Sequence, residues 1–85
     1  MTKTQIRSQL RKLLERLSLI KDDLQDLENE VEETRDEIEP YENRDELTEA
    51  QEEKQEWCDD LAYDMQNLVD NIEEGINEIE DKLEW

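Results

Sequence analysis

Residues 6–41 read IRSQLRKLLERLSLIKDDLQDLENEVEETRDEIEPY, and this stretch decides the fold. Its apolar side chains recur at alternating intervals of four and three residues, with one polar member, Thr34. The series is Ile6, Leu10, Leu13, Leu17, Ile20, Leu24, Leu27, Val31, Thr34, Ile38 and Tyr41. A 4–3 spacing sustained over five repeats is typical of a coiled-coil helix. It predicts one long helix over about residues 4–38.

Pro40 predicts where this helix ends. Its ring disfavours helical geometry at Glu39, and it has no backbone N–H to donate, so we expect the helix to stop there. Residues 39–47, EPYENRDEL, combine this proline with polar side chains and predict a turn.

A second helix is predicted just beyond this turn. Thr48 and Gln51 have the spacing of a capping box, in which each side chain accepts a hydrogen bond from the backbone N–H of the other residue. This signal predicts a helix over about residues 48–84. Asn43 with Glu46 has the same spacing and offers a competing start five residues earlier.

The apolar residues of the second helix follow a longer repeat than those of the first. Their spacing drifts from seven residues to eleven, a period that gives a straight or slightly right-handed seam. Two series have the eleven-residue interval: Trp57, Leu68 and Ile79, and Leu61, Ile72 and Leu83. The two helices are therefore not expected to form one ideal supercoil along their whole length.

Folding the chain at the turn brings both apolar series into one antiparallel register, in which the numbers of facing residues add to 85. The pairs are Ile6–Ile79, Leu13–Ile72, Leu17–Leu68, Ile20–Met65, Leu24–Leu61 and Ile38–Leu47. The sequence thus predicts an all-α fold: one coiled-coil-like antiparallel two-helix hairpin over residues 1–85, about 55 Å long. Facing side chains near the turn are polar or small, so the half with both termini should carry the stability.

A partial second apolar stripe lies beside the predicted seam. Its members are Leu14, Cys58, Ala62 and Val69. It is explained either by a broader internal seam with a few exposed apolar groups, or by a homodimer packed as a four-helix bundle. We favour the homodimer, because a single hairpin buries so little apolar surface.

Some single residues carry expectations of their own. We expect Trp57 to cap the packed half of the core, and Tyr63 and Trp85 to be exposed. Cys58 is interpreted as a small packed hydrophobe, because neighbouring carboxylates oppose thiolate formation. Gly75, within the second helix, suggests a close approach or a slight bend.

The composition excludes most catalytic chemistry. The chain has no His, one Cys and one Gly among 85 residues. A Cys–His or Ser–His relay, a zinc site of Cys and His ligands, and a glycine-rich phosphate loop are therefore ruled out. We predict that the protein is not an enzyme and that it holds no cofactor and no metal ion. No apolar run approaches a membrane span, so we expect a cytoplasmic protein without membrane contact.

Charge is divided unevenly along the chain. Residues 1–21 contain six cations and one carboxylate, a net of +5, whereas residues 22–85 contain four cations and twenty-seven carboxylates, a net of −23. In the hairpin the basic segment lies beside the acidic end of the second helix. We therefore expect cross-helix ion pairs from side chains such as Arg7, Arg16 and Lys21, which select the register more than they stabilise it.

The half of the hairpin nearest the turn is the candidate binding region. Residues 22–60 contain nineteen carboxylates and three cations, a net of −16. Over a folded length of about 26 Å this is one negative charge per ~1.6 Å, against about 1.7 Å for duplex DNA. Such a surface attracts proteins that grip nucleic acid, although acidic helices also serve solubility alone. The candidate contacts are Asp22, Asp23, Asp26, Glu30, Glu33, Asp36, Glu37, Glu49, Glu52, Glu53, Glu56, Asp59 and Asp60.

Crowded carboxylates also predict a pH dependence. Neighbouring negative charges raise the pKa of a carboxyl group above its value in the unfolded chain. We therefore expect the hairpin to become more stable as the pH falls toward about 5.

Small size, a helical rod and clustered carboxylates together resemble the DNA-mimic inhibitors that phages encode, such as anti-restriction and anti-CRISPR proteins. The resemblance is one of physical type and covers no alignable motif. It implies a non-catalytic module that blocks a basic nucleic-acid-binding protein without binding nucleic acid itself, in the host cytoplasm if a phage encodes it. The alternative is a structural coiled-coil module that oligomerises or acts as a scaffold.

Overall fold

The predicted hairpin is confirmed by a computed structural model, which describes residues 1–84. Helix α1 spans Lys3–Asp36 and helix α2 spans Glu49–Leu83. The helices lie antiparallel against each other and form a rod with principal dimensions of 68 × 16 × 15 Å. Residues 1–84 contain no β-strand.

Both helices begin at a capping box. The predicted box is present: the Gln51 N–H donates to Thr48 Oγ1 at 3.2 Å, and the Thr48 N–H donates to Gln51 Oε1 at 2.9 Å. Gln51 Nε2 also donates to the carbonyl oxygen of Glu39 at 2.8 Å, so one side chain joins the start of α2 to the connecting segment. A second box, formed by Thr2 and Gln5, begins α1 and was not predicted.

Helix α1 ends slightly before the predicted position. Its last helical residue is Asp36, and the N–H of Glu37 donates to the carbonyl oxygen of Glu33 at 3.0 Å. Because Pro40 biases the residue before it toward an extended conformation, the chain leaves the helix ahead of the proline. Residues 37–48 connect the two helices.

The packed face of α2 follows a seven-residue repeat, so the predicted series of Trp57, Leu68 and Ile79 is wrong, whereas Leu61, Ile72 and Leu83 of the other predicted series are half-buried or buried. From Cys58 onward two rows of this repeat contain only apolar side chains, most of them buried or half-buried. They are the row of Cys58, Met65, Ile72 and Ile79, and the row of Ala62, Val69, Ile76 and Leu83. The row of Leu61 and Leu68 continues with Gly75 and Lys82 and offers less continuous apolar surface. Continuity of apolar surface accounts for the side of α2 that packs.

On α1 the packed face is rotated by one row from the predicted seam. The row of Leu10, Leu17, Leu24 and Val31 is half-buried. Its companion in the interface is the row of Leu14, Lys21, Glu28 and Arg35, whereas the predicted companion row of Ile6, Leu13, Ile20 and Leu27 is exposed. Leu14 is 7% exposed and its neighbour Leu13 is 56% exposed. The stripe assigned to a dimer interface (Leu14, Cys58, Ala62 and Val69) therefore lies inside the hairpin.

The register is displaced from the predicted one by five to six residues, about one and a half helical turns. Gln25 donates to Gln66, and Leu14 lies in one buried cluster with Ile76. The numbers of these pairs add to 91 and 90 instead of 85. This shift along the helix axis accompanies the change of packed rows on α1.

Apolar packing is concentrated in the half with both termini, as predicted. Leu14, Ile76 and Leu83 form a buried cluster, against which Leu10, Leu17 and Ile72 pack. Nearer the turn the buried residues are Glu28, Cys58 and Ala62, which are polar or small.

The single-residue expectations have mixed outcomes. Trp57 does not cap the core: it lies outside both packed rows of α2 and is exposed. Tyr63 is exposed and Cys58 is buried, as predicted. A Cβ added at Gly75 would meet nothing within 4 Å, so the hairpin itself has no close approach there. Trp85 lies outside the described residues.

Candidate protein-binding surface

The tip half, residues 22–60, contains every predicted contact residue. It consists of the end of α1, the connecting segment and the start of α2. All thirteen predicted carboxylates are exposed: Asp22, Asp23, Asp26, Glu30, Glu33, Asp36, Glu37, Glu49, Glu52, Glu53, Glu56, Asp59 and Asp60. They occupy helix positions outside the packed rows, so their charges stay in contact with water.

These carboxylates do not converge on one face. On α1, for example, Asp23, Glu30 and Glu37 share a row that the interface leaves free, and Asp26 and Glu33 share another. Because the packed rows of the two helices face each other, the acidic rows point away from each other. The structure therefore has an α1 acidic surface (Asp22, Asp23, Asp26, Glu30, Glu33, Asp36 and Glu37) and an α2 acidic surface (Glu49, Glu52, Glu53, Glu56, Asp59 and Asp60) on different sides of the rod.

Arg35 is the cation that neutralises part of these surfaces. Its Nη1 donates to Asp59 Oδ1 of α2 at 2.7 Å, and its Nε donates to Asp36 Oδ1 at 3.2 Å. The hydrogen bond to Asp59 is the main reason that the pKa of Arg35 is raised, and the hydrogen bond to Asp36 is the next. The other cations of the tip half, Arg44 and Lys54, are exposed and make no ion pair with the described carboxylates.

A cross-helix ion pair therefore forms in the tip half, where the sequence predicted none. The expected pairs were placed at the basic end, at Arg7, Arg16 and Lys21. Of these, Arg16 is exposed, and Lys21 is half-buried in the same heptad row as Arg35. Arg35 reaches α2 because the rotated interface brings that row to the edge of the contact.

A polar cleft runs along one flank of the interface in the tip half. It is lined by Gln25, Glu28, Glu32 and Arg35 of α1 and by Asp59, Ala62, Tyr63 and Gln66 of α2. Gln25 Nε2 donates to Glu28 Oε2 at 2.9 Å and, more weakly, to Gln66 Oε1 at 3.4 Å. Gln66 Nε2 then donates to Asp70 Oδ1 at 3.1 Å. These bonds join the two helices where apolar packing is thin.

Glu28 is the buried carboxylate of this cleft, with 4% of its surface exposed. Burial is the main reason that its pKa is raised, followed by the hydrogen bond and negative charge of Glu32; Gln25 and Arg35 oppose the shift. The sequence predicted a raised pKa from crowding, and at Glu28 burial contributes more than the neighbouring carboxylate. Small side chains at Cys58 and Ala62 leave room for this longer one in the interface.

Replacing Glu28 with Gln should flatten the pH dependence of stability. A carboxyl group with a raised pKa in the fold binds its proton more tightly there than in the unfolded chain. The free energy of unfolding therefore gains from Glu28 as the pH falls through its folded pKa, and that gain is complete below the ordinary value of 4.5. Glu28→Gln keeps an oxygen that can accept from Gln25 and removes this titration. We expect the variant to be more stable than the wild type at pH 7 and to lose that advantage at pH 4.

The measurement is urea unfolding followed by circular dichroism at pH values from 4 to 7. Glu30→Gln, at an exposed position on the same helix, controls for the loss of one charge from the acidic end. Equal pH slopes for Glu28→Gln and the wild type would contradict the burial of Glu28.

Sequence reasoning missed Glu28, Gln25 and Gln66 as members of one network. The signal lay in the row of Leu14, Lys21, Glu28 and Arg35, which is seven residues apart throughout. A row with one apolar member is normally assigned to the surface. The pairing of Gln25 with Gln66 follows only from the displaced register.

The remaining observations limit the chemistry of the chain. Residues 1–84 contain no cluster of three His, Cys, Asp or Glu side chains arranged to hold a metal ion. Within the same residues, neither helix has an apolar stretch that could cross a membrane. No family model, curated protein or solved structure matches the chain at a significant level.

Proposed function

We propose that the protein is a non-catalytic, acidic protein-binding module whose tip half occupies the basic nucleic-acid-binding site of another protein, as a DNA mimic does. The observation that carries this proposal is the exposure of all thirteen candidate carboxylates in a region with a net charge of −16. Concentrated like charge destabilises a compact fold by self-repulsion. A protein selected only for a soluble hairpin would gain from mixed signs along the tip half.

The arrangement of the charges favours a groove or channel over a flat partner surface. A flat surface reaches either the α1 acidic surface or the α2 acidic surface, because the two point to different sides of a rod 16 × 15 Å in cross-section. A channel lined with Lys and Arg surrounds the rod and pairs with both. Sites that enclose nucleic acid have this form, because phosphates also lie on more than one side of their ligand.

Inhibition would follow from simple exclusion. While the tip half fills the basic site, nucleic acid cannot enter it, and no chemical step by this protein is needed. Association is expected to be fast and to weaken as salt is raised, because opposite potentials steer the encounter.

The test is a binding comparison of three matched variants, each with five carboxylates changed to amides. The immobilised wild-type protein first captures partners from a lysate of the source organism, and each purified partner is then titrated with the variants. The α1 variant is Asp22→Asn, Asp26→Asn, Glu30→Gln, Glu33→Gln and Glu37→Gln. The α2 variant is Glu49→Gln, Glu52→Gln, Glu53→Gln, Glu56→Gln and Asp60→Asn. The control is Glu73→Gln, Glu74→Gln, Glu78→Gln, Glu80→Gln and Asp81→Asn, all exposed near the termini.

We expect the α1 and α2 variants each to bind about tenfold or more weakly, with a shallower salt dependence, and the control to bind like the wild type. At roughly 0.3–0.5 kcal/mol for each exposed ion pair, five lost pairs amount to about 1.5–2.5 kcal/mol. Duplex DNA should displace the wild-type protein from its partner. Full binding by both tip variants, or a partner that DNA does not displace, would refute the mimic proposal.

A second candidate function is a structural coiled-coil or scaffold module. It is favoured by the row of large apolar side chains that the hairpin leaves exposed on α1. The two functions differ in what the tip carboxylates do, because amide substitutions at the tip leave a scaffold's assembly intact or tighten it.

A further inference from the structure

Large apolar side chains lie exposed along one side of the hairpin and form what we term the apolar face. Its members are Ile6, Leu13, Ile20 and Leu27 of α1 with Leu61 and Leu68 of α2. Leu61 is half-buried and the other five are exposed. The α1 members are seven residues apart, so they follow one straight row for about 32 Å. The hairpin interface uses the rows of Leu10 and Leu14 on α1, so this apolar row is left outside it.

Both parts of the apolar face are on the same side of the interface. The polar cleft lies on the opposite flank, where Gln25 and Glu32 of α1 and Asp59 and Gln66 of α2 line it. On α1 the exposed row adjoins Leu10 and Leu17, away from that flank, and on α2 Leu61 and Leu68 adjoin Met65 and Ile72, also away from it. In an antiparallel pair these two flanks coincide. The apolar face is thus one strip that spans both helices.

We propose that the apolar face packs against the apolar face of a second copy of this chain, with the two rods aligned end for end. Two rods related by a two-fold axis midway between Leu13 and Ile20 overlap over residues 3–30 of α1, about 40 Å, and share a strip of about 650 Å² on each copy. Stable protein–protein interfaces bury about 1,200–2,000 Å² in total, so this strip reaches the lower end of that range. The product is a four-helix bundle with two-fold symmetry. This surface differs from the acidic surfaces and does not depend on the function proposed for them.

Charge selects the end-for-end orientation. Residues 1–21 and 61–85 together carry a net charge of −2, because +5 on the first is offset by eight carboxylates and one cation on the second. The tip half carries −16. Rods aligned in the same direction bring −16 against −16, whereas end-for-end rods point their tip halves in opposite directions and bring the N-terminal cations of one copy over residues 22–30 of the other. Like-charge contact at that density disfavours the parallel arrangement.

The spacing of the apolar face fits this orientation. A two-fold axis midway between Leu13 and Ile20 brings Leu13 of one copy opposite Ile20 of the other, and Ile6 opposite Leu27. Level with this axis on α2 lies about residue 74, since the numbers of the cross-helix contacts add to 90 and 91. The Leu68 side chain of each copy therefore borders the paired α1 rows from the side of α2.

The first experiment measures mass by sedimentation equilibrium and compares Leu13→Asp with Leu19→Asp. Both variants add one carboxylate to α1, but Leu19 is exposed outside the apolar face. The wild type and Leu19→Asp should have twice the chain mass of 10.3 kDa. Leu13→Asp should raise the dimer dissociation constant about a hundredfold or more, because each dimer then buries two unpaired carboxylates. A wild type that is monomeric at every protein concentration measured, or a Leu13→Asp dimer with an unchanged dissociation constant, overturns the proposal. The apolar face would then belong to another partner.

Cross-linking tests the orientation without relying on a destabilised variant. In a Cys58→Ala background, the double variant Leu13→Cys with Ile20→Cys should oxidise to a covalent dimer, and either single cysteine should cross-link poorly. Within one helix these two positions are too far apart for a disulfide. Efficient cross-linking of Leu13→Cys alone, with no gain in the double variant, would bring Leu13 opposite Leu13 and would refute the register proposed here.

Discussion

Leu14→Ala should lower the free energy of unfolding by about 2–4 kcal/mol, whereas Leu13→Ala, one residue away, should cost the isolated hairpin well under half of that. Leu14 is buried against Ile76 and Leu83 in the apolar cluster that holds the terminal half together. Removing its side chain loses both the transfer free energy and the packing of its neighbours. A domain of this size has a total stability of only about 4–13 kcal/mol, so the loss shifts a large part of the folding equilibrium.

Comparing Leu14→Ala with Leu13→Ala is informative because the sequence predicts the larger loss of stability for Leu13→Ala. Leu13 belongs to the predicted seam and Leu14 to the stripe beside it, but the structure buries Leu14 and leaves Leu13 exposed. Urea unfolding of both variants by circular dichroism, at several protein concentrations, measures the difference. The loss for Leu14→Ala should be the same at every concentration. The loss for Leu13→Ala should grow with concentration, because Leu13 contributes to the dimer. A larger loss for Leu13→Ala in dilute solution would show that the predicted seam is the packed one.

The fold class could be predicted because its signals are local. The 4–3 spacing, Pro40 and the Thr48–Gln51 box each act within a few residues, and each has its expected structural outcome. The packed rows could not be predicted in the same way, since on α1 the second packed row is the mixed row of Leu14, Lys21, Glu28 and Arg35 and not the fully apolar row of Leu13. That choice depends on the opposite helix, where Cys58 and Ala62 belong to the most continuous apolar surface. A regular row on one helix does not determine it.

For the candidate surface, the exposure of the carboxylates could be predicted, but the contacts at the interface could not. Carboxylates such as Asp26 and Glu53 lie off every apolar row of the hairpin, so their exposure follows for either choice of interface. Glu28 lies in a row that is outside the predicted seam and inside the observed one, so its burial could not be predicted. The bond from Arg35 to Asp59 depends on the same rotation.

Val69→Asp should lower the free energy of unfolding at pH 7 by about 2 kcal/mol or more, and Leu68→Asp should cost the isolated hairpin much less. Val69 is 4% exposed in the packed face of α2, whereas Leu68 is 47% exposed in the apolar face. A carboxylate at position 69 loses its hydration, and Lys21, which the register places level with it, offsets only part of that cost. The intrinsic helix propensity changes almost equally at the two positions, so the comparison isolates burial.

The readouts of this pair separate the inner interface from the outer one. Urea unfolding followed by circular dichroism should show the loss for Val69→Asp at every protein concentration. Leu68→Asp should keep its helical signal in dilute solution and lose the concentration-dependent part of its stability, because it removes an apolar side chain from the face that packs against the second copy. If Leu68→Asp unfolds the dilute monomer and Val69→Asp does not, the eleven-residue series is the packed one. In that case the exposed row of Leu13 and Ile20 turns inward, and the apolar face proposed for the second copy no longer exists.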